Sequence, residues 1–185
     1  MNQWQLKQAS SYIQRGGILA YPTEAVYGLG CDPYNPDAVL RLLQLKQRPI
    51  HKGLILVAEN YEQLDPFIAP LSNEIKRKIF ASWPGPVTWI LPARPEVPRY
   101  LTGRHTSIAV RVSAQSVIQA LCRKIDQALV STSANISARP PAYSALAVRT
   151  IFGKDIDYIL PGKLDSTQKP TEIRNALSNQ IIRPG

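Results

Sequence analysis

Short apolar runs alternate with stretches of helical period along this chain, and that alternation narrows the fold more than any other feature. Ile18–Tyr21, Gly53–Ala58, Val87–Leu91, Ser107–Val112 and the start of Ala128–Asn135 read as strands, too short and too β-branched for helices. Between them, residues 3–15, 37–46, 60–81, 114–124 and 143–152 carry apolar residues at helical spacing. Pro66 and Pro70 break the third of these, and Asn35-Pro36-Asp37 offers a cap to the second. The segment Pro22–Pro36 is rich in turn formers, and the chain beyond residue 152 mixes short apolar runs with loops. Strands alternating with helices predict an α/β class: one open, twisted mixed sheet with helices packed against it. With 185 residues and no linker or repeat, one domain spanning 1–185 is expected.

The bulk numbers exclude several classes. No apolar run approaches the ~20 residues that cross a bilayer. The stretch MNQWQLKQASSYIQRGG lacks the apolar centre of a signal peptide, so a cytoplasmic location with no membrane partner is expected. Cys31 and Cys122 stand far apart and suit two reduced core thiols. Lys plus Arg number 22 against 13 for Asp plus Glu, a net charge of +9 spread along the chain. A spread excess of that kind suits nucleic acid or anionic substrates.

Common catalytic signatures are missing. There is no GxxxxGK[ST] loop, the GLG at 28–30 lacks a third glycine, and Ser131 and Ser133 lack a GxSxG setting. His51 and His105 are isolated, and no His/Cys/Asp spacing suits zinc.

What stands out is LLQLKQRPIHKG, Leu42–Gly53, where Lys46, Arg48 and Lys52 crowd the end of a helix with no carboxylate before Glu59. Residues two apart on a continuing helix diverge, but Pro49 drives Arg48 out of the helical region. Lys46 and Arg48 can then converge on one anion, or they can simply cap the negative end of the helix and face water. In VSTSAN, Val130–Asn135, hydroxyls and an amide follow a strand end, where α/β proteins bind ligands; a capped loop starting a helix is the plainer account. Thr23 and Glu24 follow another strand end between two aromatics, which a capped turn also explains. Arg111, alone and polar in IAVRV, either faces solvent or aims at a carboxylate.

Taken in order, YPTEAVYGLG, LKQRP, WPGPVT, AVRV, STSANISARP, PTEI at 170–173 and the final RPG resemble the YrdC-like family, the threonylcarbamoyl-AMP synthases of tRNA modification, in its short TsaC-type form. The resemblance runs from about Ile13 to Gly185. It implies an open twisted sheet with a concave basic surface. It implies a nucleotidyltransferase reaction as well, in which L-threonine, bicarbonate and ATP give L-threonylcarbamoyladenylate and pyrophosphate. Downstream proteins would pass the threonylcarbamoyl group to adenosine beside the tRNA anticodon. Carried over by matching motif, Lys46 and Arg48 would be catalytic and, with Ser133, Asn135 and Arg183, would hold ATP. Thr23, Arg111 and Thr171 would surround threonine. Mg2+ would arrive mainly on the ATP phosphates, and no side-chain nucleophile is needed because the threonine amine and then the carbamate oxygen attack. Ala25, Lys52, Val57 and Ala138 depart from the commoner pattern, so contacts there are not carried over. A rival reading from charge is a non-enzymatic module for double-stranded RNA, tRNA or rRNA, with Lys46 and Arg48 as phosphate contacts.

Overall fold

The protein is described from a computed structural model covering residues 1–164 and 171–185. In chain order the elements are α1 (Gln3–Gln14), β1 (Leu19–Pro22), β2 (Tyr27–Cys31), α2 (Pro36–Leu45), β3 (Ile55–Ala58), α3 (Asn73–Phe80), β4 (Val87–Pro92) and α4 (Arg99–Thr102). They continue with β5 (Ser107–Val112), α5 (Ser116–Ile125), β6 (Leu129–Ser133), α6 (Ala145–Phe152), β7 (Tyr158–Ile159), β8 (Glu172–Asn175) and β9 (Ile181–Arg183). The strands form one sheet in the order β7-β1-β2-β6-β3-β5-β4-β8-β9. It is mixed: β1–β7, β3–β5 and β4–β8 pair in parallel, the other neighbours antiparallel.

The helices start where their caps predict. The Asn2 and Gln5 side chains each take the other's backbone N–H at the head of α1. Asn35 accepts from the Ala38 N–H at the head of α2, with Pro36 in its first turn. The expected helix over 60–81 shrinks to Asn73–Phe80 and a short turn at Asp65–Phe67, as Pro66 and Pro70 dictate.

Residues 27–31, read from sequence as turn-rich, form the central strand β2. Glycine is a poor strand former, yet two stand in this strand because an aromatic ring lies on them. A Cβ at Gly30 would sit 2.7 Å from the Val130 carbonyl oxygen and 2.9 Å from the Tyr21 ring, closer than any side chain is tolerated.

Because strand side chains alternate, register decides which face each residue serves. Ile18, Ala20, Leu29, Cys31, Leu56, Val110, Val112 and Val130 join the larger core, where Val39 and Leu42 of α2, Ile79 of α3, Leu101 of α4 and Val148 of α6 cover one face. On the other face α1 and α5 cover only part of the sheet, packing Ala9, Ile13, Ile118, Leu121 and Cys122 on Leu19, Tyr21, Val57 and Leu129. Each aliphatic side chain fully buried this way contributes about 1.5–3 kcal/mol. The uncovered remainder of that face carries small or polar residues, among them Gly28, Thr88, Ala109, Ser131 and Ser133.

Gly30→Ala tests the ring-on-strand packing. The added methyl must displace either backbone or the Tyr21 ring, so stability should fall by about 1–3 kcal/mol. For a chain of this size that is about 2–4 °C of melting temperature per kcal/mol. An unchanged melting temperature would show that Tyr21 does not pin β2.

Candidate active site

The uncovered sheet face is the floor of a cavity of about 630 Å³. Its walls come from the turn after β1 (Thr23–Val26), the loop after α2 (Arg48, Lys52, Gly53), the segment after β6 (Pro141, Tyr143) and the β8–β9 hairpin (Thr171, Ile182, Arg183). Among the described residues its lining holds four cations, Arg48, Lys52, Arg111 and Arg183, and one carboxylate, Glu24.

The α2 end explains how Arg48 turns in. Lys46 caps the helix, Gln47 takes a left-handed φ of 49°, and the Arg48 N–H donates back to the Leu43 carbonyl while Gln47 N–H reaches Gln44. That pair of bonds is a Schellman turn, with glutamine where glycine is usual. Arg48 then donates from Nε and Nη2 to the Gly53 carbonyl, at 3.2 and 2.9 Å. Gly53 has a φ of 64°, and a Cβ there would meet the Thr102 carbonyl at 2.9 Å, so the loop that seats Arg48 needs glycine.

Lys46 does not share that space. It is 2% exposed, and its ammonium donates to the Ser133 carbonyl, to the Asn135 carbonyl at 2.8 Å and to Asn135 Oδ1 at 3.4 Å. Its own carbonyl accepts from the Ser137 N–H at 2.8 Å. Lys46 therefore ties α2 to the loop after β6 and stands behind the cavity; neither a water-facing helix cap nor a direct lining residue describes it. Burial, and then the neighbouring Arg48 charge, pull its ammonium down from 10.5 to about 7. Burial likewise lowers Arg48.

Asn135 is spent on structure too. It accepts from Ser133 Oγ at 2.6 Å and donates to the Ile136 and Arg139 carbonyls at 2.9 and 2.7 Å. No helix starts there, so the capped-helix account of this loop is replaced by a lysine-stapled turn. Thr23 bears out the plain-turn account, its Oγ1 donating to the Val26 carbonyl at 2.6 Å, and the turn also lines the cavity.

Arg111 is buried and does not face solvent. Its Nη1 donates to Glu24 Oε1 at 2.9 Å and its Nη2 reaches Oε2 at 3.5 Å. Arg183 donates to the Thr171 carbonyl at 3.2 and 2.6 Å; burial and then the Arg111 charge lower its guanidinium. Six of the eight residues expected from the sequence thus line one cavity: Thr23, Arg48, Arg111, Ser133, Thr171 and Arg183. Lys46 and Asn135 support it from behind.

Three participants were given no place in the site by the sequence. Glu24 finds Arg111 from 87 positions away. Ser131, on the floor, accepts from the Tyr21 hydroxyl at 2.8 Å. Thr88 precedes Trp89, which pairs with Val110 across the β4–β5 ladder, and its Oγ1 is the buried side-chain polar atom without a partner among the described residues. A buried hydroxyl left without a partner costs about 1–3 kcal/mol. Only the alternation of small polar residues in strands, Ser131 then Ser133 and Gly28 then Gly30, hints at such a floor in the sequence.

Known proteins resemble this chain over nearly its whole length. The Sua5/YciO/YrdC family model, described as telomere recombination, matches residues 11–185. The chain is similar to a threonylcarbamoyl-AMP synthase of Photobacterium profundum, 50% identical over 97% of this chain and 98% of that protein. It is also similar to one of Halorhodospira halophila, 51% identical over 97% and 94%. Among solved structures, P. abyssi Sua5 in complex with L-threonine superposes with a TM-score of 0.91 at 31% identity, over all of this chain and 55% of that one. E. coli YciO follows with a TM-score of 0.81 at 28% identity, over 94% and 84%.

The Lys46 staple predicts a pH dependence with a definite sign. The unfolded chain keeps the Lys46 proton up to about 10.5, while the folded chain releases it near 7. Between those values the unfolded state binds more protons, so folding stability rises with pH. Lys46→Met keeps the stem and removes the titration. Urea denaturation should show wild type gaining stability over Lys46→Met from about pH 7 towards 10, by at most ~1.4 kcal/mol per pH unit. A constant difference would mean that the ammonium keeps its proton in the fold.

Proposed function

The chain belongs to the Sua5/YciO/YrdC family, and on that footing we propose that it is an L-threonylcarbamoyladenylate synthase using ATP, L-threonine and bicarbonate. The observation that carries this reading is the cavity itself: four cations against one carboxylate, in a chain similar over its whole length to threonylcarbamoyl-AMP synthases. The reaction brings anions together. The threonine amine attacks the carbon of bicarbonate and water leaves, giving a carbamate; a carbamate oxygen then attacks the α-phosphorus of ATP, and the bond between the α- and β-phosphates breaks to release pyrophosphate. Water opposes that approach by solvating each anion separately; fixed cations in a partly dry cavity favour it and stabilise charge growing on the leaving group.

In this reading Arg48, with Lys52 beside it and Arg183 across the cavity, faces the phosphates, and the Ser133 hydroxyl reaches them by turning its proton away from Asn135 Oδ1. Arg111, Thr23 and Thr171 surround the amino acid. Lys46 and Asn135 act as positioning residues that hold the Ser133 loop. The nucleotide enters as its Mg2+ complex: among the described residues no cluster of His, Cys, Asp or Glu forms a cage, and an ion carried on phosphate and water oxygens suits the donors present. No side chain is asked to be a nucleophile. Burial pushes both thiols up, Cys122 to about 12, and neither lines the cavity. The product would go to transfer proteins that modify adenosine next to the tRNA anticodon, in the cytoplasm.

Purified protein with MgATP, bicarbonate and L-threonine should release pyrophosphate; equal release without threonine would sink the assignment. Arg48→Ala should cost on the order of 10²-fold or more in turnover with a melting temperature close to wild type. Arg111→Lys keeps the charge but loses the two-pronged contact, so calorimetry should show weaker threonine binding with ATP binding retained. The rival RNA-binding reading expects instead affinity for duplex RNA that falls steeply with salt, and turnover unaffected by threonine.

A further inference from the structure

The Arg111–Glu24 pair is a strange thing to leave on the floor of an anion-binding cavity. Arg111 is the cation that should take a substrate carboxylate, yet a carboxylate of the chain already lies against it, at 2.9 Å. Both side chains are nearly buried, 6% and 18% exposed, and both line the cavity. Neither is saturated. A guanidinium has five N–H donors, and the bonds to Glu24 use two. Each Glu24 oxygen accepts one bond from Arg111 and keeps a lone pair.

An α-amino acid at neutral pH carries a carboxylate and an ammonium on one carbon. Laid antiparallel against the Arg111–Glu24 pair, each of its charges faces its opposite. The rest of the lining makes the need for such a partner acute, because Arg48, Lys52 and Arg183 all repel an ammonium and Glu24 is the one acceptor anion among the described lining residues. We propose that Glu24 is a substrate-recognition residue: it receives the α-ammonium of the amino acid while Arg111 holds the carboxylate. The inference rests on the synthase reading above and extends it to a residue that the motif resemblance left without a role.

The pair sets orientation as well. A triphosphate brought to Arg111 would meet the Glu24 carboxylate, so phosphates are turned towards Arg48, Lys52 and Arg183, which have no carboxylate partner among the described residues. A zwitterion loses nothing at that spot. Glu24 thereby marks the amino-acid end of a cavity that is otherwise selective for anions.

The test is L-threonine binding by calorimetry to wild type and Glu24→Gln, at about pH 7.5 and again above the titration of the free amine, near pH 10. ATP binding by each protein at each pH reports that the cavity is folded. Gln retains the length and an acceptor oxygen but no charge, so the ratio of the two threonine affinities isolates the charge. That ratio should be on the order of 10-fold or more at pH 7.5 and collapse towards 1 when threonine loses its proton. A ratio that is large but independent of pH would mean Glu24 only positions Arg111, and a ratio near 1 at both pH values would mean it does neither; each overturns the proposal. If Glu24→Gln fails to bind ATP, Glu24→Asp replaces it: it keeps the charge, and wild type and variant should then both lose threonine affinity as the amine deprotonates. Threonine affinity of wild type that does not fall there overturns the proposal. Wild type that binds ATP but never threonine overturns the synthase reading itself, a result distinct from any of these ratios.

Discussion

One face of the sheet is only half covered, and most of what this molecule can do follows from that. Helices α2, α3, α4 and α6 close the opposite face over a continuous core. On the first face α1 and α5 pack against each other and over Leu19, Tyr21, Val57 and Leu129, then stop. A sheet surface left open to water has to be floored with residues that do not demand burial, and the floor here is glycine, alanine, serine and threonine with a few aliphatics. The apolar area forgone on this side is recovered on the other, where Leu29, Leu56 and Val110 are wholly buried.

The second constraint is electrostatic. Cations held in a partly dry place are costly: burial lowers Lys46, Arg48 and Arg183, and the Arg48 charge adds to the first and the Arg111 charge to the third. The protein tolerates it by tying each head group to backbone oxygen: Lys46 to Ser133 and Asn135, Arg48 to Gly53, Arg183 to Thr171. Carbonyl dipoles fix direction without cancelling charge, so the field stays available to an incoming anion. Sites of this kind trade stability for function.

Much of this was legible in the sequence, and the exceptions have physical reasons. Aliphatic period exposed β1, β3, β4, β5 and β6, but β2 was hidden because the residues that fit beneath Tyr21 are glycines, which read as turns. β7 and β9 are too short to show a period, and the 60–81 helix was overstated because its two prolines cut deeper than the apolar spacing suggested. The order of motifs pointed to the correct family and gathered six residues that do line one cavity. What it could not give was depth. Whether Lys46 or Arg48 faces the cavity turns on a left-handed Gln47, a position at which sequence rules look for glycine. The Glu24–Arg111 pairing is set by sheet topology and has no local signature at all.

The β8–β9 hairpin carries a consequence for how the molecule responds to its ligands. β9 is the outermost strand, its residues Ile181 and Ile182 are about half exposed, and it joins the sheet through β8 alone. Such an edge opens at lower free-energy cost than the central strands that hold Arg111 and Ser133, so the cavity has one stiff wall and one soft one. Arg183 rides on the soft wall, and a ligand that engages it must first hold the hairpin still. Part of the intrinsic affinity is spent on that ordering, and the first ligand to meet that cost leaves less of it for the second. Two substrates that both lean on that wall, one at Arg183 and one at Thr171, would then help each other bind with no change of shape, through the quieting of a single strand.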